Sequence, residues 1–227
     1  MNWFTGADAD WVDDAIRNSG ANPNATPTRE SYSSWIRSLN SCNMGNAGIG
    51  SKGPYINQCL KGAPATHETE TASHEYFHTV QSSTMTWSSL PHWFIEGSAT
   101  FVGIHVGGNS AGEFKGTRAF TVGRWTGGLD QGIRDAVRTA DANAIVQRFK
   151  DLQGSQAPGQ IQTSGYALGM FLTEALVASK GFDHWVEYLT TIKSLGFAQA
   201  TEKSYGLTLD QLYVKVAPYV ISQLKGN

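Results

Sequence analysis

The pattern of apolar and polar residues over the first sixty positions predicts two short amphipathic helices followed by a strand region. The segment ADADWVDDAIRNSG begins with an aspartate as helix N-cap and places Trp11, Ala15 and Ile16 on one face. After the break at NPNATP, the segment TRESYSSWIRSLN predicts a second helix with Thr28 as its cap. Both helices therefore offer an apolar face for packing.

Short strands are predicted on either side of these helices. The N-terminal NWFT is typical of a strand, and PYINQCL predicts a short strand close to a sheet edge. Between the second helix and PYINQCL, the glycines of NMGNAGIGSKG predict a turn region.

From Thr66 onward the pattern predicts an almost entirely helical chain. A long helix runs to about Ser83, and a second begins near Pro91, where proline suits the first turn. The glycine-rich segment VGGNSAGEFKG ends that helix as a linker, and further helices are predicted near 131–153, 164–180, 182–194 and 208–224. The expected fold class is α+β and predominantly helical. We expect one domain over 1–227, with a small β-containing N-terminal lobe (1–64) and a helical lobe (65–227).

Composition and charge narrow the class of protein. The chain has 227 residues, 40% of them hydrophobic, which is typical of a folded globular domain. A formal net charge of −2 and the lack of basic runs argue against nucleic-acid partners. The longest apolar segment, YALGMFLTEALVA, carries Thr173 and Glu174, so no membrane-spanning helix is expected.

The two cysteines, Cys42 and Cys59, leave two alternatives open. They either form a disulfide, which would contribute about 3 kcal/mol, or remain two thiols in a reducing cytosol. The lysine-poor surface rich in Ser, Thr, Asn and Gly favours the disulfide and a secreted or extracytoplasmic location. No signal peptide is visible, so the compartment stays open, as does the oligomeric state.

The segment ASHEYFHTVQ carries the candidate chemistry. His74 and His78 are four residues apart, so their imidazoles lie on one face of a helix and can reach one zinc ion. Glu75 lies about 100° further round the helix and can reach a water molecule on that ion. Such a pair can also be a solvated or core stripe, and a catalytic zinc needs a third protein ligand.

Glu96 supplies that third ligand in the segment LPHWFIEGSATFVG. It follows His78 after seventeen intervening residues, which is enough to end one helix and begin another. His74, His78 and Glu96 then form a His₂Glu set, the donor set of catalytic rather than structural zinc. Glu70 is either a hydrogen-bond partner of a ligand histidine or part of a solvated face, and we favour the solvated face. His92 either lines the cleft or is a surface histidine, and we favour the surface.

The combination HEYFH, seventeen residues and WFIEGSA resembles the gluzincin branch of zinc metallopeptidases. Trp93, Glu96, Gly97 and Ala99 match the corresponding segment of its aminopeptidase family. The segment SGYALGMFLTEALVASKGFDHWVEYL is similar to the helix that carries that family's oxyanion-binding tyrosine, which aligns with Tyr166. The resemblance extends roughly from Ala65 to Tyr219 and implies a thermolysin-like catalytic domain.

The resemblance implies a zinc-dependent peptidase in which Glu75 is the general base and Tyr166 stabilises the oxyanion. The Gly-x-Met-Glu-Asn motif that binds the substrate's amino group in aminopeptidases is absent from the sequence. An endopeptidase or short-peptide hydrolase acting on a peptide or protein substrate is therefore favoured. Thr100 stands where thermolysin-like members have an aspartate that orients the first histidine, and its hydroxyl can take over that contact.

Two alternative functions remain open at this level. A zinc-stabilised binding or accessory module with a gluzincin fold would use the same ligands without catalysis. A zinc hydrolase acting on a non-peptide amide or ester would use the same catalytic residues.

Overall fold

The computed structural model describes residues 2–4, 44–50, 53–59, 65–109, 112–155 and 161–226. Over these residues the chain is predominantly helical, which confirms that part of the predicted fold class. The two helices predicted between ADADW and SLN lie outside the described residues, as does Cys42. The disulfide and the extent of an N-terminal lobe therefore stay predictions.

Three described strands form one sheet. β1 (Asn2–Phe4) pairs in parallel with β3 (Gly53–Cys59), and β2 (Met44–Gly50) pairs antiparallel with β3, so the order is β1-β3-β2. The predictions of strands at NWFT and PYINQCL are confirmed. The expected turn over NMGNAGIG was wrong, because this segment forms a strand whose backbone pairs with β3 despite its glycines. β3 also lies between the other two strands rather than near an edge.

The helices follow in sequence. α1 (Ala65–Thr84) agrees with the predicted long helix, and α2 (His92–Val102) begins after Pro91 as expected. α2 continues directly into a π-helical turn, Gly103–Gly108, and the last three residues of this turn belong to the segment VGGNSAGEFKG that predicts a linker. The remaining helices are α3 (Phe114–Gly127), α4 (Gln131–Thr139), α5 (Ala142–Asp151), α6 (Gln162–Lys180), α7 (Phe182–Leu195), α8 (Phe197–Tyr205) and α9 (Leu209–Lys225). None of the helices in the described ranges is both long and apolar enough to cross a membrane.

The single helix predicted over 131–153 is two helices. Ala140 ends α4 in the left-handed conformation with φ 57°, and its amide bonds back to the last turn. The next residue, Asp141, caps α5 by accepting a hydrogen bond from the amide of Ala144 at 3.1 Å. A C-cap and an N-cap in succession therefore break the helical pattern.

The chain divides into two compact units. The first comprises Met1–Ser83 and Val102–Thr117, and contains the sheet, α1 and the π-helical turn. The second comprises Thr84–Phe101 and Arg118–Asn227.

Trp93 is the centre of the hydrophobic core of the second unit. Its side chain is fully buried and makes edge-to-face contacts with Phe149, Phe197 and Tyr213. Its indole N–H donates to the hydroxyl of Tyr213 at 3.1 Å. These rings come from α2, α5, α8 and α9. Trp93, which follows His92 directly and lies three positions before Glu96, is therefore anchored to most of the unit.

α2 and α6 touch backbone to backbone within this unit. A Cβ atom on Gly97 would overlap the backbone of Gly169, and one on Gly169 would overlap the carbonyl oxygen of Trp93. Only glycine at both positions permits this approach. Glu96 is next to Gly97, and Tyr166 lies one turn before Gly169. The close crossing of the two helices therefore fixes the position of Tyr166 relative to Glu96 along them.

Candidate metal centre

The two histidines of the H-E-x-x-H segment converge in the structure. His74 and His78 are 7% and 6% exposed on α1, so neither belongs to a solvated stripe. Their Nε2 atoms lie 3.0 Å apart, with the rings nearly perpendicular at 89°. Two nitrogen ligands of one tetrahedral zinc ion lie about 3.3 Å apart when each Zn–N bond is 2.0–2.1 Å long. The pair therefore has close to the spacing that a shared ion requires.

Gln81 selects the tautomer of His78. The Oε1 atom of Gln81 lies 2.8 Å from Nδ1 of His78, and Gln81 is fully buried. An amide oxygen only accepts hydrogen bonds, so the Nδ1–H of His78 donates and the ring proton is held there. In the neutral imidazole the lone pair then lies on Nε2, the atom that faces His74. His78 is thus oriented to bind a cation through Nε2.

Glu96, the predicted third ligand, belongs with His74 and His78 to a group that could hold a metal ion. One ligand atom from each of His74, His78 and Glu96 lies within 4.8 Å of the others. Two imidazoles and a carboxylate are the donor set of catalytic zinc sites, so the residues fit the ion chemically.

Thr100 lies one turn after Glu96 on α2. It is buried, and its hydroxyl donates to the backbone carbonyl of Glu96 at 2.8 Å. Since this bond uses only the hydroxyl proton, the oxygen keeps the capacity to accept. The predicted contact from Thr100 to the first histidine stays a prediction.

Glu75, the predicted general base, is 7% exposed on α1. Tyr55 of β3 is half-buried, and burial together with the negative charge of Glu75 raises the pKa of its phenol. The phenol therefore lies within electrostatic range of the Glu75 carboxylate and stays protonated. The sequence indicates no role for Tyr55, because nothing in PYINQCL links it to a helix that begins ten residues later.

Tyr166, the predicted oxyanion donor, is half-buried near the start of α6. Its ring stacks on Trp125 of α3, with centroids 4.1 Å apart and an interplanar angle of 20°. The ring of His92 meets it edge-on, with centroids 6.3 Å apart. His92 is one turn before Glu96 on α2, so Tyr166 contacts the face of α2 that carries the third ligand.

The structure corrects two sequence-based interpretations. His92 is 4% exposed rather than at the surface, and its Nε2–H donates to the carbonyl of Gln162 at 3.2 Å. Glu70 is also 4% exposed rather than solvated. The π-helical turn packs against Glu70, since a Cβ on Gly103 would lie 2.8 Å from its carbonyl oxygen and 3.0 Å from Oε1. Polar residues on a helix do not always face water, and both Glu70 and His92 are buried.

Comparison of the chain with protein-family models, curated proteins and solved structures finds no match. The resemblance to gluzincins therefore stays a prediction, carried by the motifs in the sequence.

Proposed function

We propose that the chain is a zinc-dependent peptidase of the gluzincin type, with a thermolysin-like catalytic domain. The observation that carries this proposal is the convergence of His74, His78 and Glu96, with ligand atoms within 4.8 Å of one another. The neighbouring buried carboxylate of Glu75 adds a base next to the ligand set. Polar residues that serve only in packing would not require three metal-ligand side chains together with a further buried carboxylate.

His74, His78 and Glu96 would hold the zinc ion, with Gln81 orienting His78. A zinc ion held by three protein ligands lowers the pKa of a water molecule towards neutrality and polarises a carbonyl group. The charge of the ligand set supports a catalytic role, because one carboxylate and two neutral imidazoles leave the ion with a net positive charge.

Glu75 is the general base of the proposed reaction. Its carboxylate takes a proton from the attacking water and then passes it to the nitrogen of the leaving amine. The protonated phenol of Tyr55 lies within electrostatic range of this carboxylate. Removal of a general base typically costs a factor of about 10²–10⁴ in rate.

Tyr166 donates a hydrogen bond to the oxyanion that forms at the scissile carbonyl. Its position beside His92, one turn from Glu96, supports this role. Loss of one oxyanion donor typically costs a factor of about 10²–10³ in turnover. Since the sequence lacks the amino-group-binding motif of aminopeptidases, we favour internal bonds of peptides, or short peptides, as substrates.

The proposal is tested by zinc stoichiometry and by cleavage of a mixed peptide library, with and without a chelator. Wild type should bind one zinc ion and cleave peptides, and chelation should abolish cleavage. Glu75→Gln should keep its zinc and lose activity by a factor of about 10²–10⁴. The matched control is Glu187→Gln, whose carboxyl lies on α7 with a side chain 79% exposed; it should retain full activity.

Two outcomes would contradict the proposal. Full activity in zinc-loaded Glu75→Gln would show that Glu75 is not the general base, and would rule out the proposed mechanism. Zinc binding that raises the melting temperature of wild type, without cleavage of any peptide in the library, identifies an accessory module instead.

A further inference from the structure

The ring of Tyr166 is held on two sides within the second unit. Its face lies on the indole of Trp125 at a centroid distance of 4.1 Å, and the two planes differ by 20°. The imidazole of His92 approaches from another direction at 79° to the ring. A phenol confined by a face contact and an edge contact has little freedom to turn about χ1.

The edge contact is itself rigid. His92 is buried, its Nε2 is tied to the carbonyl of Gln162, and a Cβ on Gly165 would overlap its ring. The His92 ring therefore cannot shift unless α6 moves as well. The face contact depends on one side chain of α3, the half-buried Trp125, over which the guanidinium of Arg124 also lies at 4.6 Å from the ring centroid.

We propose that Trp125 is a positioning residue of the reaction, which keeps the Tyr166 phenol aligned with the oxyanion through the ring stack. This inference rests on the proposed function. Oxyanion donors stabilise the transition state only when they are already in place, and a displacement of about 1 Å can cost a factor of 10². A phenol that can rotate off the indole loses that alignment while the substrate-binding surface stays the same.

A double-mutant cycle separates this role from ordinary packing. Trp125→Leu should lower kcat about tenfold in the wild-type background, with KM changed less than twofold. In the Tyr166→Phe background the same substitution should leave kcat unchanged, because no hydroxyl remains to be aligned. Trp125→Phe should restore most of the rate, since a phenyl ring can still stack.

Zinc content and melting temperature are measured for each variant, with Trp125→Met as a further variant should Trp125→Leu not fold. The control is Phe120→Leu, which removes an aromatic ring 44% exposed on the same helix and should leave kcat unchanged in both backgrounds.

An equal loss of kcat in both backgrounds overturns the positioning role and leaves the peptidase proposal intact. An unchanged rate in Tyr166→Phe alone overturns the roles of Tyr166 and Trp125 together, again with the peptidase intact. A zinc-loaded wild type without any hydrolytic activity overturns the proposed function and this inference with it.

Discussion

Gln81 shows how a single buried amide prepares a histidine for metal binding. Because Gln81 Oε1 accepts the Nδ1 proton of His78 at 2.8 Å, Nε2 is left as the basic nitrogen. The contact joins residues three apart on α1, so helix geometry alone keeps it in register. Such outer partners fix the ring orientation of a ligand and raise its basicity.

Replacing Gln81 should weaken zinc binding. We expect Gln81→Leu to lower zinc affinity by a factor of about 10–100, since the imidazole loses the acceptor that selects its tautomer. Gln81→Glu, which keeps an acceptor at the same place, should retain affinity. Both are measured by competition with a chromophoric chelator.

The control is Gln147→Leu, which removes an exposed glutamine bonded to Asp151 at 3.0 Å and should not alter zinc affinity. Equal affinity in Gln81→Leu and wild type would show that the helix alone orients His78.

The ligand residues were predictable because their spacing is a property of the helix. The four-residue separation of His74 and His78 places both on one face whatever surrounds them, and the structure brings Glu96 to the same group. Trp125 and Tyr55 were not predictable, since their contacts depend on the packing of α3 and on the sheet. The contact of Gln81 with His78 was also predictable, because residues three positions apart on a helix are neighbours.

At the level of elements, the sequence does not predict α3, because two of its three buried residues, Thr117 and Thr121, are polar. Its inward positions include Thr117, Thr121 and the half-buried Trp125, which are four residues apart but carry only one large apolar group. Its first three residues also belong to the glycine-rich segment VGGNSAGEFKG, which predicts a linker. The helix forms because tertiary contacts override weak local preference. One such contact is a bidentate ion pair from Arg118 to Glu174 of α6.

The crossing of α2 and α6 yields a prediction about stability. Gly169→Ala places a methyl group against the carbonyl oxygen of Trp93, so the two helices must separate. We expect a loss of about 1–3 kcal/mol in the free energy of unfolding, as is typical of overpacking. Activity should fall further than stability explains, because the shift displaces Tyr166 from Glu96. Urea denaturation and kcat provide the two measurements.

Gly123→Ala is the matched control for this substitution. Gly123 lies in the interior of α3 with nothing within 4 Å of a built Cβ atom. Alanine should raise the free energy of unfolding by about 0.5–1 kcal/mol through helix propensity. If Gly169→Ala were as well tolerated as Gly123→Ala, the crossing would not require glycine.

At the scale of the whole molecule, a partly buried polar network connects α3, α6 and α9 in the second unit. Glu174 accepts both bonds of the Arg118 guanidinium at 2.9 Å and a third from the hydroxyl of Tyr219 at 3.0 Å. Arg118 also donates to the side-chain oxygen of Gln223 at 3.0 Å. Because Glu174 is 9% exposed, removal of any one partner leaves a buried charge less well compensated.

Tyr219 links this network to the pH dependence of folding. Burial raises the pKa of Tyr219 to about 12, and the negative charge of Glu174 adds to the rise. The pKa of an unfolded tyrosine is about 10. The folded chain therefore holds the phenolic proton between pH 10 and 12 while the unfolded chain releases it. The resulting stability is fully present below pH 10 and is lost as the pH rises through 12.

Burial also raises the pKa of Tyr188, Tyr205 and Tyr213, so the urea midpoint of wild type should fall steeply above pH 10. Tyr219→Phe should start from a lower midpoint at pH 8, because Glu174 loses one hydrogen bond. Between pH 10 and 12 its midpoint should then fall less steeply than that of wild type, since one titrating phenol has been removed. Tyr76→Phe, which changes a tyrosine 58% exposed, should follow the wild-type slope. Parallel curves for wild type and Tyr219→Phe would mean that the network does not hold the proton of Tyr219 in the folded state.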